Sequence, residues 1–329
     1  MLTGKVDVLL MEAKTPYLSV VIPIFNEGDN ILELSGRLKK VLTNIGCSYE
    51  IIFIDDGSTD RSLEILKQCQ NEIHEITIIE FNRNYGQHAA VFAGFERSSG
   101  EIVVTLDADL QNPPEEIPKL VNKAEEGFEV VATVRVKRKD SLFRRCASYT
   151  INRITAKITG VNLRDYGCML RAYRKNIVKL MCASKEISTF IPVLATSYAK
   201  SIAEIQVEHY PRNEGMSKYG ITRLISLQFD LMTSFSVWPL RMLMLLGLIV
   251  SLAGIGFGIF ILTMRIIMGS EWAVGGVFTL FAVLYFFVGA QFLAFGLLGE
   301  YIGRIYSEVR KRPRFVIEKI YSFEEETYY

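Results

Sequence analysis

Asp107-Ala108-Asp109 closes an apolar run at residues 102–106 and so sets two carboxylates at the C-terminal end of a strand. In α/β sheets that is the edge where ligands bind. Strand alternation sends Asp107 and Asp109 to one side and Ala108 to the other, and two hard oxygen ligands converging there suit Mg2+ or Mn2+. A cation so held can neutralise a diphosphate. Solvated acids also end many strands, and the rest of the chain decides between the two readings.

Other polar groups fall at equivalent places. Asp55-Asp56-Gly57-Ser58 follows an earlier apolar run, where a carboxylate can accept hydrogen bonds from a base or ribose; Gly57 serves the turn, and Ser58 and Asp60 read as helix caps. Residues 84–88 precede a helical pattern whose N-terminus could approach phosphate. His88 and His209 have no second histidine at ligand spacing, and His209 sits in an alternating stretch before Pro211 that suggests a structural role. The cysteines at 47, 69, 146, 168 and 182 show no paired metal spacing and receive no role.

The elements that must position these groups can be read from periodicity. Residues 1–16 have little pattern and end at Pro16, which predicts a flexible lead-in. Strands are predicted at 18–24, 50–54, 76–81 and 102–106. Helices are predicted after each, at 30–42, from Ser58, at 87–97 and at 115–126. This alternation predicts an α/β fold with a mostly parallel sheet. Beyond it a strand at 130–136, a basic amphipathic helix at 142–158 and a short strand at 169–173 are expected. Ile221, Leu224, Leu227, Leu231 and Phe235 recur at helical steps and suit either an interfacial or a core-packing helix; their place just before Trp238 favours the interface.

Half of the 329 residues are hydrophobic and the mean hydropathy is positive, which argues against a wholly water-soluble protein. Residues 242–264 carry no charge and span about 35 Å as a helix, enough to cross a bilayer core. A second uncharged run covers residues 272–299. The two predict a transmembrane hairpin. Lys218, Arg223 and Arg241 precede it and Arg304, Arg310, Lys311, Arg312 and Arg314 follow it, so both outer ends are expected in the cytoplasm. No basic-then-apolar leader begins the chain, so the N-terminal region is expected to work on cytoplasmic metabolites. The formal charge of +1 is no footprint of nucleic-acid binding.

Val21-Ile22-Pro23-Ile24-Phe25-Asn26-Glu27, Ile54-Asp55-Asp56-Gly57-Ser58 and Leu106-Asp107-Ala108-Asp109-Leu110-Gln111 with Asn112-Pro113-Pro114, together with the paired spans, resemble the family-2 GT-A polyprenyl-phosphate glycosyltransferases over nearly the whole chain. Arg83-Asn84-Tyr85-Gly86-Gln87-His88, Asp165-Tyr166-Gly167-Cys168-Met169-Leu170-Arg171 and Leu298-Gly299-Glu300-Tyr301-Ile302-Gly303-Arg304 are most similar to those that transfer 4-deoxy-4-formamido-L-arabinose to undecaprenyl phosphate. The resemblance implies a Rossmann-like GT-A catalytic domain at 17–217, an interfacial helix at 218–240, two transmembrane helices at 241–300 and a cytoplasmic tail at 301–329. It also implies a homo-oligomer, a tetramer in relatives, at a bacterial inner membrane.

The same resemblance implies roles for single residues. Pro23, Asn26, Glu27 and Asp55 would line the nucleotide pocket, Asp107 would face the nucleotide, and Asp109 with Gln111 would hold Mg2+ or Mn2+ with Asp107. Arg135, Arg144 and Arg145 would receive the acceptor phosphate, a task suited to the bidentate guanidinium fork. Lys218, in Gly215-Met216-Ser217-Lys218, would close over the donor diphosphate or serve as an interfacial anchor. Asp165 matches a position proposed as base; it could instead orient an arginine such as Arg171. The implied reaction is an inverting sugar transfer from a nucleotide sugar to polyprenyl phosphate, feeding modification of lipid A or another envelope component. UDP-glucose and GDP-mannose are alternative donors, and a non-catalytic membrane-anchored binding protein is the alternative of another class.

Overall fold

A computed structural model describes residues 15–135, 163, 165–184, 190–208, 210, 238–268, 277–310, 312–323 and 326–328. The expected basic helix at 142–158 and amphipathic helix at 219–237 lie outside these residues, as do Arg144, Arg145, His209 and Lys218. The chain divides into two units, one of residues 1–218 with 313–329 and the other of residues 219–312.

In the first unit β1 (Leu18–Ile24), β2 (Tyr49–Asp55), β3 (Ile76–Phe81) and β4 (Ile102–Thr105) are all parallel. Each is apolar nearly throughout because helices cover both faces of the sheet. The covering helices are α1 (Gly28–Ile45), α2 (Ser62–Glu72), α3 (Gln87–Arg97) and α4 (Ile117–Glu125). Ile22, Phe53, Ile78 and Val104 form the core with Leu34, Leu38 and Leu120 on one face. Val21, Ile54, Ile79 and Val103 pack against Val91, Phe92 and Phe95 on the other.

The sheet continues beyond this parallel centre through β5 (Val130–Arg135), β6 (Arg171–Arg174) and β7 (Ile202–Val207), giving the order β7-β5-β6-β4-β1-β2-β3. β6 runs antiparallel to β4 and β5. On the far edge β8 (Ile317–Tyr321) pairs antiparallel with β3, and β9 (Glu326–Tyr328) pairs with β8. The segment expected as a cytoplasmic tail thus contributes two strands to the sheet. It is fastened by the Tyr321 hydroxyl donating to Glu80 at 2.7 Å, by Gln70 donating to the Tyr321 carbonyl at 2.9 Å and by Phe315 stacked on Phe81.

β1 lies between β2 and β4, so the chain winds outward through β2 and β3 and then returns to the other side of β1. The gap between the ends of β1 and β4 is therefore the topological switch point, where doubly wound sheets open a crevice. Pro23 helps to open it. The Leu106 amide donates to the Val21 carbonyl, and the next rung of a parallel ladder would need an N–H from residue 23. Proline has none, so the two strands part there.

In the second unit α7 (Trp238–Met268) and α8 (Val277–Val309) are long and apolar enough to cross a membrane by length and composition. Leu245, Phe257, Phe286 and Phe292 are exposed on them, as lipid-facing residues would be. The helices α5 (Lys175–Ala183) and α6 (Ile191–Tyr198) belong to the first unit and pack beside α3.

Candidate active site

Of the described non-glycine residues, Asn26 and Leu110 have positive φ, at 56° and 57°. Asn26 follows β1 and Leu110 follows β4, so the left-handed kinks flank the switch point. Backbone held in this sparsely populated region is characteristic of functional sites. The Leu110 kink folds Asp109-Leu110-Gln111 into a turn in which the Gln111 amide donates to Asp109 Oδ1 at 3.1 Å. The Gln111 carbonyl accepts from the Tyr210 amide at 2.9 Å.

Asp107 is partly exposed but closely ringed by protein. That burial, followed by the negative charge of Asp109, pushes its carboxyl up to about 7, against the opposing effects of Gln87 and Arg135; Glu27 adds a smaller rise. Gln87 Nε2 donates to Asp107 Oδ1 at 2.6 Å. Among the described residues no protein group donates to Oδ2 of Asp107 or of Asp109. No group of three His, Cys, Asp or Glu side chains forms a metal cage among those residues. The negative charge of Asp109 acts on Asp107, and that repulsion is what a divalent cation would relieve, so the two carboxylates fit Mg2+ or Mn2+.

Beside it, Asn26 and Glu27 are locked to the loop after β2. The Asn26 amide donates to Ser58 Oγ at 3.1 Å, and Asn26 Oδ1 accepts from the Thr59 amide at 2.8 Å. Ser62 Oγ accepts from the Glu27 amide and Asp60 Oδ2 from that of Gly28. Ser58, Thr59 and Asp60 are committed to residues 26–28, which is why the helix expected from Ser58 begins at Ser62. Asp60 caps it, accepting from the Ser62 amide at 3.0 Å, whereas Ser58 bonds across to Asn26 instead. Asp55 ends β2 buried, accepts from the Ser58 amide at 3.2 Å, and has its carboxyl raised chiefly by burial.

Asp56 and Gln87 carry roles that the sequence reading missed. Buried Asp56 accepts from the Tyr85 amide at 2.7 Å, the Gly86 amide at 2.9 Å and Asn84 Nδ2 at 2.9 Å, and so holds the loop that aims Gln87 at Asp107. Gly57 is obligatory between them: its φ is +66°, and a Cβ would lie 2.5 Å from the Arg83 carbonyl carbon. The available signal was Gly86 just before a helix that opens with a polar residue. His88 packs edge-on against Phe190, and burial pushes its imidazole down, toward the neutral form.

On the other flank Arg135, the last residue of β5, forms a bidentate ion pair with Asp165, Nε to Oδ2 at 2.7 Å and Nη2 to Oδ1 at 3.0 Å. Its charge acts on Asp107, so the arginine lies near the acid pair. Arg171 does not meet the Asp165 carboxylate. It is fully buried and donates to the main-chain carbonyls of Asp165, at 2.7 Å, and Cys168, at 2.8 Å.

A doubly wound sheet with an Asp-x-Asp turn at its switch point has the GT-A architecture of nucleotide-sugar-dependent transferases. Residues 19–181 match glycosyl transferase family 2, and the chain belongs to that family. It is 51% identical over 305 residues to the undecaprenyl-phosphate 4-deoxy-4-formamido-L-arabinose transferase of Edwardsiella ictaluri (strain 93-146), covering 92% of this chain and 94% of that one. It is 52% identical over 310 residues to the transferase of the same name from Yersinia pestis (strain Pestoides F), covering 94% of each. Glucosyl-3-phosphoglycerate synthase from Mycobacterium tuberculosis, in complex with Mn2+, uridine-diphosphate and glucosyl-3-phosphoglycerate, is similar with a TM-score of 0.46 and 16% identity, over 67% of this chain and 78% of that one.

Proposed function

We propose that this protein transfers 4-deoxy-4-formamido-L-arabinose from a UDP-linked donor to undecaprenyl phosphate at the cytoplasmic face of a bacterial inner membrane. The observation that carries this reading is the end-to-end likeness, at about half of all positions, to two relatives of that name. The family resemblance assigns the roles of single residues. Pro23, Asn26, Glu27 and Asp55 line the nucleotide side, Asp107 faces the nucleotide, and Lys218 approaches the donor diphosphate. Arg135, Arg144 and Arg145 receive the acceptor phosphate.

The acceptor is a phosphate monoester whose second ionisation falls near ~6, so at neutral pH it is largely a dianion. Its oxygen attacks the anomeric carbon as the bond to the donor diphosphate breaks, which inverts the configuration in a single displacement. Departure of the diphosphate then sets the barrier, and positive groups placed at that end lower it. Asp107, Asp109 and Gln111 would hold Mg2+ or Mn2+, which would supply charge neutralisation at the diphosphate. Gln87 fixes one Asp107 oxygen and leaves the other for the site.

The basic residues flanking the two apolar helices favour a cytoplasmic catalytic unit, with residues 218–240 as an interfacial helix beside the lipid acceptor. The exposed faces of α7 and α8 give lipid or further copies of the chain a surface to cover, consistent with a homo-oligomer. Two spans are few for a sugar-translocating pathway, so the product would be flipped by another protein.

The test is transfer to short-chain polyprenyl phosphate with Mg2+ or Mn2+ and a panel of UDP-formamidoarabinose, UDP-glucose and GDP-mannose, followed by mass spectrometry of the lipid. A metal-dependent mass shift with the first donor is expected. A shift with another donor alone would overturn the sugar assignment. No shift with any donor, despite measured nucleotide binding, would overturn catalysis in favour of a binding protein.

A further inference from the structure

Asp165 occupies the place where a base for the acceptor would be sought, and its surroundings suit a different task. Its carboxylate is about 5% exposed. Oδ1 accepts from Arg135 Nη2 and from the Gly167 amide, each at 3.0 Å, and Oδ2 accepts from Arg135 Nε at 2.7 Å. A general base needs a lone pair turned toward the proton it removes. The turn that carries this carboxylate is braced from behind by Arg171 on the carbonyls of Asp165 and Cys168, and Thr133 Oγ1 ties β5 to the Leu170 carbonyl at 2.7 Å.

Gly167 completes the cradle. A Cβ there would lie 3.2 Å from Arg135 Nη2, so the bare glycine lets the guanidinium lie flat against the turn. Two of the three guanidinium nitrogens are thereby fixed, and Nη1 has no partner among the described residues. An arginine held along one edge presents its other edge in one orientation, as bidentate recognition of a phosphate requires.

We propose that Asp165 is a positioning residue that holds Arg135 for the acceptor phosphate, and that the acceptor reacts without a protein base. This rests on the transfer reaction proposed above. The chemistry balances without Asp165 taking a proton. An oxygen of the phosphate dianion forms the new bond to the anomeric carbon, the bond from that carbon to the donor diphosphate breaks, and its electron pair leaves with the nucleoside diphosphate.

The experiment compares wild type, Asp165→Asn, Arg135→Ala, the double variant and Gly167→Ala in the full chain, each with acceptor titrated at saturating donor across pH 5.5–8.5. Loss of orientation in a charge-assisted pair corresponds to a rise in acceptor KM of about ten- to a hundredfold, with kcat falling less than about tenfold. The acid limb should stay near the acceptor's second ionisation in Asp165→Asn. The double variant should be no worse than Arg135→Ala alone, because Asp165 acts only through Arg135. Gly167→Ala should raise acceptor KM with both charged partners intact.

A base would behave otherwise. A kcat loss of about 10²–10⁴ in Asp165→Asn at saturating acceptor, multiplying with Arg135→Ala, would overturn the proposal. An unchanged acceptor KM in Gly167→Ala would overturn the cradle. Wild type inactive with every donor in the same assay would instead overturn the transfer reaction itself.

Discussion

Asp56 never needs to touch a ligand, yet its replacement should disable the donor side. Asp56→Ala deletes three charge-assisted hydrogen bonds, from the Tyr85 and Gly86 amides and from Asn84 Nδ2 at 2.7, 2.9 and 2.9 Å. Bonds to a charged acceptor contribute about 1.5–3 kcal/mol each, and two of these donors are backbone amides left without a partner. The gross loss is offset by the penalty of burying the carboxylate, which shows as a raised pKa caused first by burial. A net destabilisation of about 3–5 kcal/mol follows. For a unit of this size each kcal/mol corresponds to about 2–4 °C, so the melting midpoint of the full chain should fall by roughly 6–20 °C. Asp56→Asn keeps one acceptor oxygen and should fall by less. Nucleotide affinity, read by calorimetric titration at a temperature where the variant is folded, should weaken with it, since the released loop no longer aims Gln87 at Asp107. Melting within about 2 °C of wild type, together with unchanged nucleotide affinity, would refute the anchoring argument.

The remaining predictions concern the same crevice and its frame. With chelator present, the raised Asp107 pKa means the folded protein binds the proton more tightly than the unfolded chain, so this stabilisation is complete below 3.8 and is lost as pH rises through about 7. At about 1.4 kcal/mol per pH unit the span amounts to roughly 4 kcal/mol, and melting curves from about pH 4 to 8 should show the decline in wild type but not in Asp107→Asn. Asp109→Ala should abolish metal-dependent transfer while leaving membrane insertion intact; wild-type turnover by the purified variant would sink the metal role. Gly57→Ala places a Cβ at φ +66° and 2.5 Å from the Arg83 backbone, which should destabilise by about 2–4 kcal/mol in a denaturation assay. Truncation after Arg312 removes β8 and exposes the β3 edge, so size-exclusion chromatography should show aggregation, and a monodisperse, stable product would argue against a structural role for that strand.

What could be read in advance follows from which interactions leave a local trace. The four parallel strands are continuous apolar runs because both faces are covered, and a carboxylate ending such a run stands out, so Asp55, Asp107 and Asp109 were legible with their strands. Family likeness rather than spacing supplied Gln111 and Arg135. The Asp56 grip on residues 84–86 and the Gln87 bond to Asp107 were not legible, because each joins loops from different strands and any polar residue at a helix start satisfies the same pattern. The pairing of Asp165 with Arg171 was suggested by nearness in sequence. The strand instead turns the Arg171 guanidinium onto main-chain carbonyls and leaves the carboxylate to Arg135, which lies 30 positions away on β5. β8 was not legible as a strand because such pairing is specified mainly by the sheet edge it meets, here β3, and that edge is far away in sequence.

The β8 strand bears on membrane topology independently of the charge rule. Residues 1–218 and 313–329 form one folded unit, and β8 hydrogen-bonds to β3. The chain that leaves this unit before α7 and rejoins it after α8 must therefore begin and end on one side of any bilayer. An even number of crossings follows, and α7 and α8 supply two helices of sufficient length. A single span with one helix lying flat would put β8 on the wrong side of the membrane from β3. The basic flanks then decide only which side it is, and the sheet decides that it is the same side for both ends.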